Sequence, residues 1–198
     1  MFTGIVQTRG TVTSVEDRGG DGRLAIDAPD LGEFAIGDSI SVSGACLTAV
    51  ARTAGGFVAD VSRETLDRTT LGTLAEGSAV NLELSLTPST ALGGHLVTGH
   101  VDGVGELVSE EEDARSRRLR LRAPAGLERY IAAKGSVCVD GVSLTVNEVE
   151  GREFGVNVIP HTAAVTTLGA ARPGSRFNLE VDLIARYVER LLNGARIP

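Results

Sequence analysis

A small set of polar residues in this sequence could carry out acid–base or nucleophilic chemistry. Cys46 and Ser143 supply a sulfur and an oxygen nucleophile, and His100 supplies an imidazole, the side chain most often used for acid–base catalysis. Ser143, His100 and Asp182 would also suit a Ser-His-Asp hydrolase, but no Gly-x-Ser-x-Gly motif surrounds Ser143. The full candidate set is Cys46, His100, Lys134, Asp140, Ser143 and Asp182.

A comparison of the chain with itself singles these residues out. Alignment of Ser39–Glu83 with Ser136–Glu180 matches several runs, among them Thr-Thr-Leu-Gly and Asn-Leu-Glu, so the chain is a tandem duplication with halves at 1–97 and 98–198. Because a shared fold needs the same residues in both halves, polar residues present in only one half are better site candidates. The unequal pairs are Cys46/Ser143, Ile5/His100, Gly37/Lys134, Ser43/Asp140, Glu64/His161 and Ser85/Asp182.

Each candidate also has an ordinary structural interpretation. Cys46 alone would more often be a small buried residue, and a lone His100 would be structural. Lys134 fits a solvated turn, and Asp140 with the following glycine fits a hairpin turn. The same reasoning predicts structural roles for Cys138, by packing, and for His95, by local hydrogen bonding.

Composition limits the classes of protein that the chain can belong to. It has 198 residues, 42% of them hydrophobic, which is enough for one large or two small packed domains. The net charge of −7 argues against a nucleic-acid surface, and neither a disulfide framework nor a zinc pattern is present. Without a signal-peptide pattern or a membrane-spanning apolar stretch, we expect a cytoplasmic protein with no membrane partner.

Short strands must position the candidate residues. Ile40–Val42, Arg118–Arg122 and Val137–Val139 alternate between apolar and polar residues, and glycine-rich breaks recur at close spacing. Many short strands in each half predict a small closed barrel, which has no exposed edge. A short helix is predicted at Leu127–Ala133. Apolar residues at helical spacing in 183–192 predict a C-terminal amphipathic helix that packs on its own barrel or makes an oligomer contact.

Taken in order, the motifs of both halves resemble those of riboflavin synthases of the α-chain type, which are built from two lumazine-binding repeats. The resemblance covers nearly the whole chain, and many ordered motifs are far more specific than any single one. The first half departs from the usual family pattern at Ser43, where Asn is expected. The matching segments are Met1–Val6, Gly37–Thr48, Gly93–Gly103, Lys134–Asn147, Ile159–Thr162 and Asn178–Arg190.

This resemblance implies a fold, a reaction and partners. The fold is all-β, with two tandem six-stranded Greek-key β-barrels and a C-terminal amphipathic α-helix, assembled as a homotrimer. The reaction transfers a four-carbon unit between two molecules of 6,7-dimethyl-8-ribityllumazine and yields riboflavin and 5-amino-6-ribitylamino-pyrimidinedione, without a metal or organic cofactor. Lumazine synthase is the implied protein partner. The alternative is a non-catalytic lumazine protein, but such relatives lose the reactive Cys and His that this chain keeps.

The resemblance also implies residue roles in a site between the first barrel of one subunit and the second barrel of the next. The halves carry complementary groups, with Cys46 on the first and His100, Lys134 and Ser143 on the second. His100 would be the acid/base, and Cys46 and Ser143 would hold or deliver the nucleophile. Asp140 and Asp182 would orient Ser143 and Lys134. The implied substrate-binding residues are Gly4, Ile5, Val6, Cys46, Leu47, Thr48, Asp60, Val61, Ser62, Arg63, Glu64, Thr65, Gly99, His100, Val101, Lys134, Ser143, Leu144, Thr145, Ile159, Pro160, His161 and Thr162.

Overall fold

The computed structural model describes residues 1–194 and contains two closed, six-stranded antiparallel barrels, which confirms the predicted fold class. The first barrel consists of β1 (Thr8–Asp17), β2 (Gly22–Asp27), β3 (Ser39–Val42), β4 (Ala45–Arg52), β5 (Gly56–Val61) and β6 (Ala79–Leu84). The second consists of β7 (Gly103–Asp113), β8 (Ser116–Arg122), β9 (Ser136–Val139), β10 (Val142–Glu150), β11 (Glu153–Val158) and β12 (Arg176–Val181). The helices are α1 (Arg63–Arg68), α2 (Pro160–Val165) and α3 (Leu183–Gly194), with 3-10 turns at Thr70–Thr73, Glu128–Tyr130 and Thr167–Ala170.

Both barrels follow one strand order, β1-β2-β5-β4-β3-β6 and its equivalent in β7–β12. Side-chain alternation fills the barrel interiors: in β8, Leu119 and Leu121 are buried, while the alternating arginines Arg118, Arg120 and Arg122 are only partly buried. The helix predicted at Leu127–Ala133 is wrong in extent, because only the 3-10 turn forms there. Ile131 already has an extended backbone and is buried in the second barrel's core, so the chain leaves the turn after three residues.

Reciprocal asparagine contacts join the barrels. The turn before β4 contains Ser43 and the turn before β10 contains Asp140, both at positive φ and each followed by a glycine at positive φ. The Nδ2 of Asn178 donates to Ser43 O, and the Nδ2 of Asn81 donates to Asp140 O, each at 2.8 Å. These asparagines recur in both halves because each one clamps the turn of the other barrel.

Helix α3 is tied to the second barrel by its polar side. Arg129 Nε lies 3.1 Å from Glu189 Oε1, and the Tyr130 hydroxyl donates to the same carboxylate. The apolar face of α3 is not covered by its own barrel; its exposed residues are Ile184, Tyr187, Val188, Leu191 and Leu192. Within the described range, no helix combines the length and apolar composition needed to cross a bilayer.

Candidate active site

The segment that precedes each barrel, residues 1–7 before β1 and residues 97–102 before β7, first contacts the other barrel. These are the two crossing segments. Phe2 and Val97 pair in an isolated antiparallel bridge, with the Phe2 N–H donating to Val97 O at 2.7 Å. Beyond the bridge, Val6 packs against the core of the second barrel, and Val101 packs against the core of the first. Each barrel surface is therefore completed by the segment that leads into the other barrel.

Cys46, near the start of β4, lies against the segment from the second half. Its N–H donates to Gly99 O at 2.8 Å. Gly99 has a φ of 79°, and a Cβ there would lie 2.6 Å from the Cys46 Cβ, so only glycine permits this approach. Glu180 on β12 fixes the segment, because it accepts hydrogen bonds from the Thr98 N–H, the Thr98 hydroxyl and the Gly99 N–H at 2.6, 2.8 and 2.9 Å.

A cleft of about 340 Å³ opens beside Cys46. It brings the half-buried thiol together with the exposed side chain of His100, and residues of α1 form part of its wall. The cleft combines a nucleophile, an acid/base group and polar side chains in one space. Its lining residues are Ala45, Cys46, Glu64, Thr65, Arg68, Thr69, Gly99, His100, Val101 and Asp102.

This geometry corrects the expected division of groups between the barrels. His100 belongs to the second half of the sequence, but it lies in the cleft of the first barrel with Cys46. Conversely, Gly4 at the N-terminus contacts Ser143 of the second barrel. The physical reason is the crossing of the two leading segments, which residue order does not reveal.

Ser143, near the start of β10, occupies the equivalent position on the second barrel. Its N–H donates to Gly4 O at 2.7 Å, and a Cβ on Gly4 would lie 2.6 Å from the Ser143 Cβ. Glu83 holds this segment by accepting from the Thr3 N–H, the Thr3 hydroxyl and the Gly4 N–H at 2.7, 2.6 and 3.0 Å. Burial raises the pKa of both Glu83 and Glu180, and the hydrogen bonds that each accepts oppose this shift.

His95 is a site residue that sequence reasoning missed. Its Nδ1 lies 2.7 Å from Ser143 Oγ, so the prediction of a local hydrogen bond is wrong. The ring is buried, and its Nε2 has no hydrogen-bond partner among the described residues. Burial lowers the pKa of His95 and so favours the neutral imidazole, whereas the charge of Asp182 opposes this shift. His95 has no counterpart in the first half, so comparison of the halves gave no signal for it.

Three charged residues of the predicted site make no hydrogen bond to Ser143 among the described residues. Asp140 Oδ1 accepts from the Asn178 N–H at 2.7 Å within the barrel junction. Asp182 Oδ1 accepts from the N–H of Ile184 at 3.0 Å, at the start of α3. Lys134 is exposed, and its side chain makes no hydrogen bond within residues 1–194. The expected orienting contacts of Asp140 and Asp182 with Ser143 and Lys134 are therefore absent from this arrangement.

Strand alternation separates the residues that follow Cys46 and Ser143. Leu47 and Leu144 are buried in the barrel cores, so only their backbones are available to a ligand outside. Thr48 and Thr145 are exposed, on the same strand faces as Cys46 and Ser143. Both predicted Leu-Thr motifs thus contribute one inward and one outward side chain.

The predicted ribityl-binding segments, Asp60–Thr65 and Ile159–Thr162, lead into α1 and α2. Ser62 Oγ caps α1 by accepting from the Thr65 N–H at 3.2 Å. Asp60 is already paired with Arg23 at 2.6 Å, and Arg23 lowers the pKa of that carboxyl through their hydrogen bond. Glu64 and Thr65 line the first cleft; their equivalents on α2 are His161 and Thr162.

The second cysteine is structural, as predicted. Cys138 is buried with Phe2 and Val97, and burial raises the pKa of its thiol well above the usual value. The part of the chain that the structure describes contains no group of three His, Cys, Asp or Glu side chains placed to hold a metal ion.

Two tandem barrels of like construction place the chain among proteins built from lumazine-binding domains. The lumazine binding domain model matches twice, at residues 3–85 and 98–182. A solved structure of LumP complexed with riboflavin aligns with a TM-score of 0.85 and 26% identity over 91% of this chain and 99% of that one. The complex of LumP with 6,7-dimethyl-8-(1'-D-ribityl) lumazine aligns with a TM-score of 0.82 over the same shares.

Curated relatives narrow the class further. The chain is 47% identical to riboflavin synthase of Mycobacterium bovis over 98% of this chain and 100% of that protein. It is 46% identical to that of Photobacterium phosphoreum, with 97% and 89% covered, and 38% identical to that of Bacillus subtilis, with 98% and 91% covered. The chain belongs to the riboflavin synthase family, which confirms the resemblance seen in its motifs.

Proposed function

We propose that this protein is a riboflavin synthase that transfers a four-carbon unit between two molecules of 6,7-dimethyl-8-ribityllumazine. The products are riboflavin and 5-amino-6-ribitylamino-pyrimidinedione. One observation carries the proposal: two binding surfaces share one backbone construction but differ in their reactive groups. Cys46 and His100 mark the first and Ser143 and His95 the second, as expected when two identical substrates play different parts in one reaction.

The backbone construction suits a flat heterocyclic ligand. In each pocket a buried glutamate holds a glycine-containing segment beside the start of a strand. This leaves backbone groups of Gly4–Val6 and Gly99–Val101 to contact the ring, and the polar ends of α1 and α2 to contact the ribityl chain. Rigidly held segments can align two substrates for reaction, and alignment alone contributes substantially to rate.

The reactive groups have separate tasks in this proposal. The reaction removes a proton from an activated ring methyl group and adds a nucleophile to the acceptor ring. His100, which lines the cleft beside Cys46, is the acid/base, a role that imidazole side chains commonly fill in enzymes. Cys46 and Ser143 hold or deliver the nucleophile, and Lys134, Asp140 and Asp182 remain predicted participants. No metal or organic cofactor is invoked.

We further propose that the active site forms between subunits of a homotrimer. The cleft beside Cys46 includes neither Ser143 nor His95 in its lining, so these groups of the second barrel lie outside that cleft in one chain. A neighbouring subunit can bring its second barrel to the first barrel of this one. The exposed apolar face of α3 supplies a surface for that assembly. The resemblance to riboflavin synthases supports lumazine synthase as a partner, and we propose a cytoplasmic location.

A lumazine-carrying protein without catalysis is the competing function, and the LumP structures favour it as an alternative. Incubation of the purified protein with 6,7-dimethyl-8-ribityllumazine separates the two. We expect riboflavin to accumulate, detected by its fluorescence and by chromatography, together with an equal amount of the pyrimidinedione. Stable binding of the lumazine without any riboflavin over many hours would instead identify a carrier.

A further inference from the structure

Gln7 and Asp102 occupy equivalent positions after the two crossing segments and make the same backbone contacts. The Gln7 N–H donates to Leu82 O at 2.9 Å, and the Asp102 N–H donates to Leu179 O at 2.8 Å. The Gln7 side chain accepts from the Leu84 N–H at 2.7 Å, just as Asp102 Oδ2 accepts from the N–H at position 181 at 2.8 Å. A neutral amide therefore suffices for this task, and the charge of Asp102 calls for another explanation.

Arg186 of α3 supplies that explanation. Its Nη2 lies 2.6 Å from Asp102 Oδ1, and the Asp102 side chain is only 13% exposed. The same nitrogen donates to His100 O at 3.2 Å. Gln7 carries no charge and makes no ion pair, so among the described residues this bridge exists only on the side of the molecule that carries His100.

The bridge reaches the His100 carbonyl, on the peptide unit that follows the His100 N–H held by the Thr98 hydroxyl at 3.3 Å. Thr98 and Gly99 are held by Glu180, and Asp102 is fixed by its strand contacts. Between them, the His100 carbonyl has Arg186 as its donor, and the His100 side chain is exposed at the cleft. The position of this carbonyl determines where the peptide unit, and with it the imidazole, stands relative to Cys46.

We propose that Arg186 is a positioning residue for His100, acting from α3 on the pocket of the first barrel. The kinetic test of this inference rests on the proposed function, whereas the claim that Arg186 fixes the His100 backbone does not. The charged guanidinium can bridge a carboxylate and a carbonyl at once because it presents several donors in a fixed plane. Through it, the same helix that offers an apolar face for assembly also fixes the acid/base group.

The kinetic test compares Arg186→Gln with Arg129→Gln. Both variants remove an ion pair that ties α3 to the rest of the chain, but only the first pair reaches the cleft. We expect Arg186→Gln to lower kcat by about tenfold to a hundredfold with a smaller change in KM, as for a misplaced catalytic group. Arg129→Gln should keep kcat within about twofold of the wild type, and Arg186→Lys should recover part of the loss.

A double-variant cycle identifies the residue through which Arg186 acts. In a His100→Gln background, Arg186→Gln should cause little further loss, because the group that it positions is already gone. Losses that multiply in the double variant, or an equal loss in Arg129→Gln, would overturn the proposal. If Arg186→Gln folds poorly, Asp102→Asn serves as a second variant. The equivalent residue Gln7 shows that a neutral amide preserves the backbone contact. Asp102→Asn should also lower kcat, and full activity would overturn the proposal.

A measurement without substrate separates this inference from the proposed function. The chain has three histidines, so protein labelled with ¹⁵N-histidine gives three backbone amide signals, and His100→Gln identifies one of them. Arg186→Gln should shift or broaden the His100 signal and leave those of His95 and His161 in place, whereas Arg129→Gln should change none. An unmoved His100 signal would overturn the positioning role, whatever the lumazine assay shows.

Discussion

Cys46 and His100 approach one cleft from opposite halves of the chain, and neither side chain makes a hydrogen bond within the described residues. Within the described residues, the imidazole of His100 makes no hydrogen bond, and Cys46 donates to the crossing segment through its backbone N–H rather than its thiol. Their freedom contrasts with Glu83 and Glu180, whose carboxylates each accept three hydrogen bonds. At this scale, the residues proposed to be catalytic are therefore distinguishable from the structural ones.

Replacing Cys46 by Ser, or His100 by Gln, should lower kcat by at least about tenfold, because each removes a reacting group. The affinity for 6,7-dimethyl-8-ribityllumazine should change little, since the backbone groups that contact the ring remain. Riboflavin fluorescence measures kcat, and titration of the lumazine's own fluorescence measures affinity. Collapse of the melting transition in either variant would assign that residue a structural role instead.

Asp140 gives a prediction about stability. Burial raises its pKa to about 7, opposed by the hydrogen bond from the Asn178 N–H. An unfolded Asp titrates near 4, so between about pH 4 and pH 7 the folded protein keeps a proton that the unfolded chain has lost. The free energy of unfolding should therefore fall as pH rises through this window and level off above it. Asp140→Asn, which keeps the acceptor, removes this effect.

We expect Asp140→Asn to be more stable than the wild type at pH 8 by at least about 1 kcal/mol and nearly equal to it at pH 4. Denaturant unfolding of both proteins at matched protein concentration across this range tests the expectation. Other buried carboxyls, such as Glu83 and Glu180, affect both proteins alike, so the difference isolates Asp140. A difference that is constant with pH would show that the carboxyl does not titrate there.

Short glycine-containing segments shape the binding surfaces together with β4 and α1. Gly4 and Gly99 let these segments pass within van der Waals contact of the strands that carry Ser143 and Cys46. Because the segments exchange between barrels, each pocket forms only when both barrels have docked. The Asn81 and Asn178 clamps maintain that docking.

Gly99→Ala should disrupt the first pocket more than its backbone strain alone explains. Gly77 is the matched control: its φ is 86°, close to the 79° of Gly99, but nothing lies within 4 Å of a Cβ built there. Both variants should lose about 1–2 kcal/mol of stability from the left-handed backbone. Only Gly99→Ala, whose methyl group meets Cys46, should also lose activity, measured as kcat per folded protein. Equal activity in the two variants would contradict this account of the pocket.

The whole molecule carries two half-sites and an uncovered helix face. Ser143 and His95 lie outside the cleft that holds Cys46 and His100, and α3 exposes five large hydrophobic residues along one element: Ile184, Tyr187, Val188, Leu191 and Leu192. Both features are explained if subunits associate so that unlike pockets meet. A complete site then draws its two groups from different chains.

Mixing two inactive variants tests this assembly. Cys46→Ala retains an intact second pocket and Ser143→Ala an intact first pocket, so a mixed trimer can pair the two intact pockets into a complete site. We expect co-refolded protein to regain part of the wild-type riboflavin production. A site within one chain cannot be repaired by mixing, because every chain carries a defect. Activity no higher than that of the separate variants, in trimers shown to be mixed by native mass spectrometry, would exclude a shared site.

Much of this protein follows from sequence alone. The duplicated runs predict two like domains, the alternation in Arg118–Arg122 predicts strands, and ordered motifs indicate the family. Cys46 and His100 stand out because the halves differ there. These signals are local or periodic, so they can be recognised in the linear sequence. Side-chain alternation, for example, is a property of a strand wherever that strand lies in the fold.

Only the tertiary structure decides which residues meet. The crossing of Phe2 and Val97 moves His100 to the first barrel, and the fold brings His95 to Ser143 across 48 residues of chain. Neither result has a local signature, because a closed barrel sets its neighbours by strand order and register rather than by sequence distance. Comparison of the duplicated halves also gives no signal for His95, because the first half has no residue that aligns with it. Contacts between segments remote in sequence depend on the packed whole, and they determine the chemistry of each pocket.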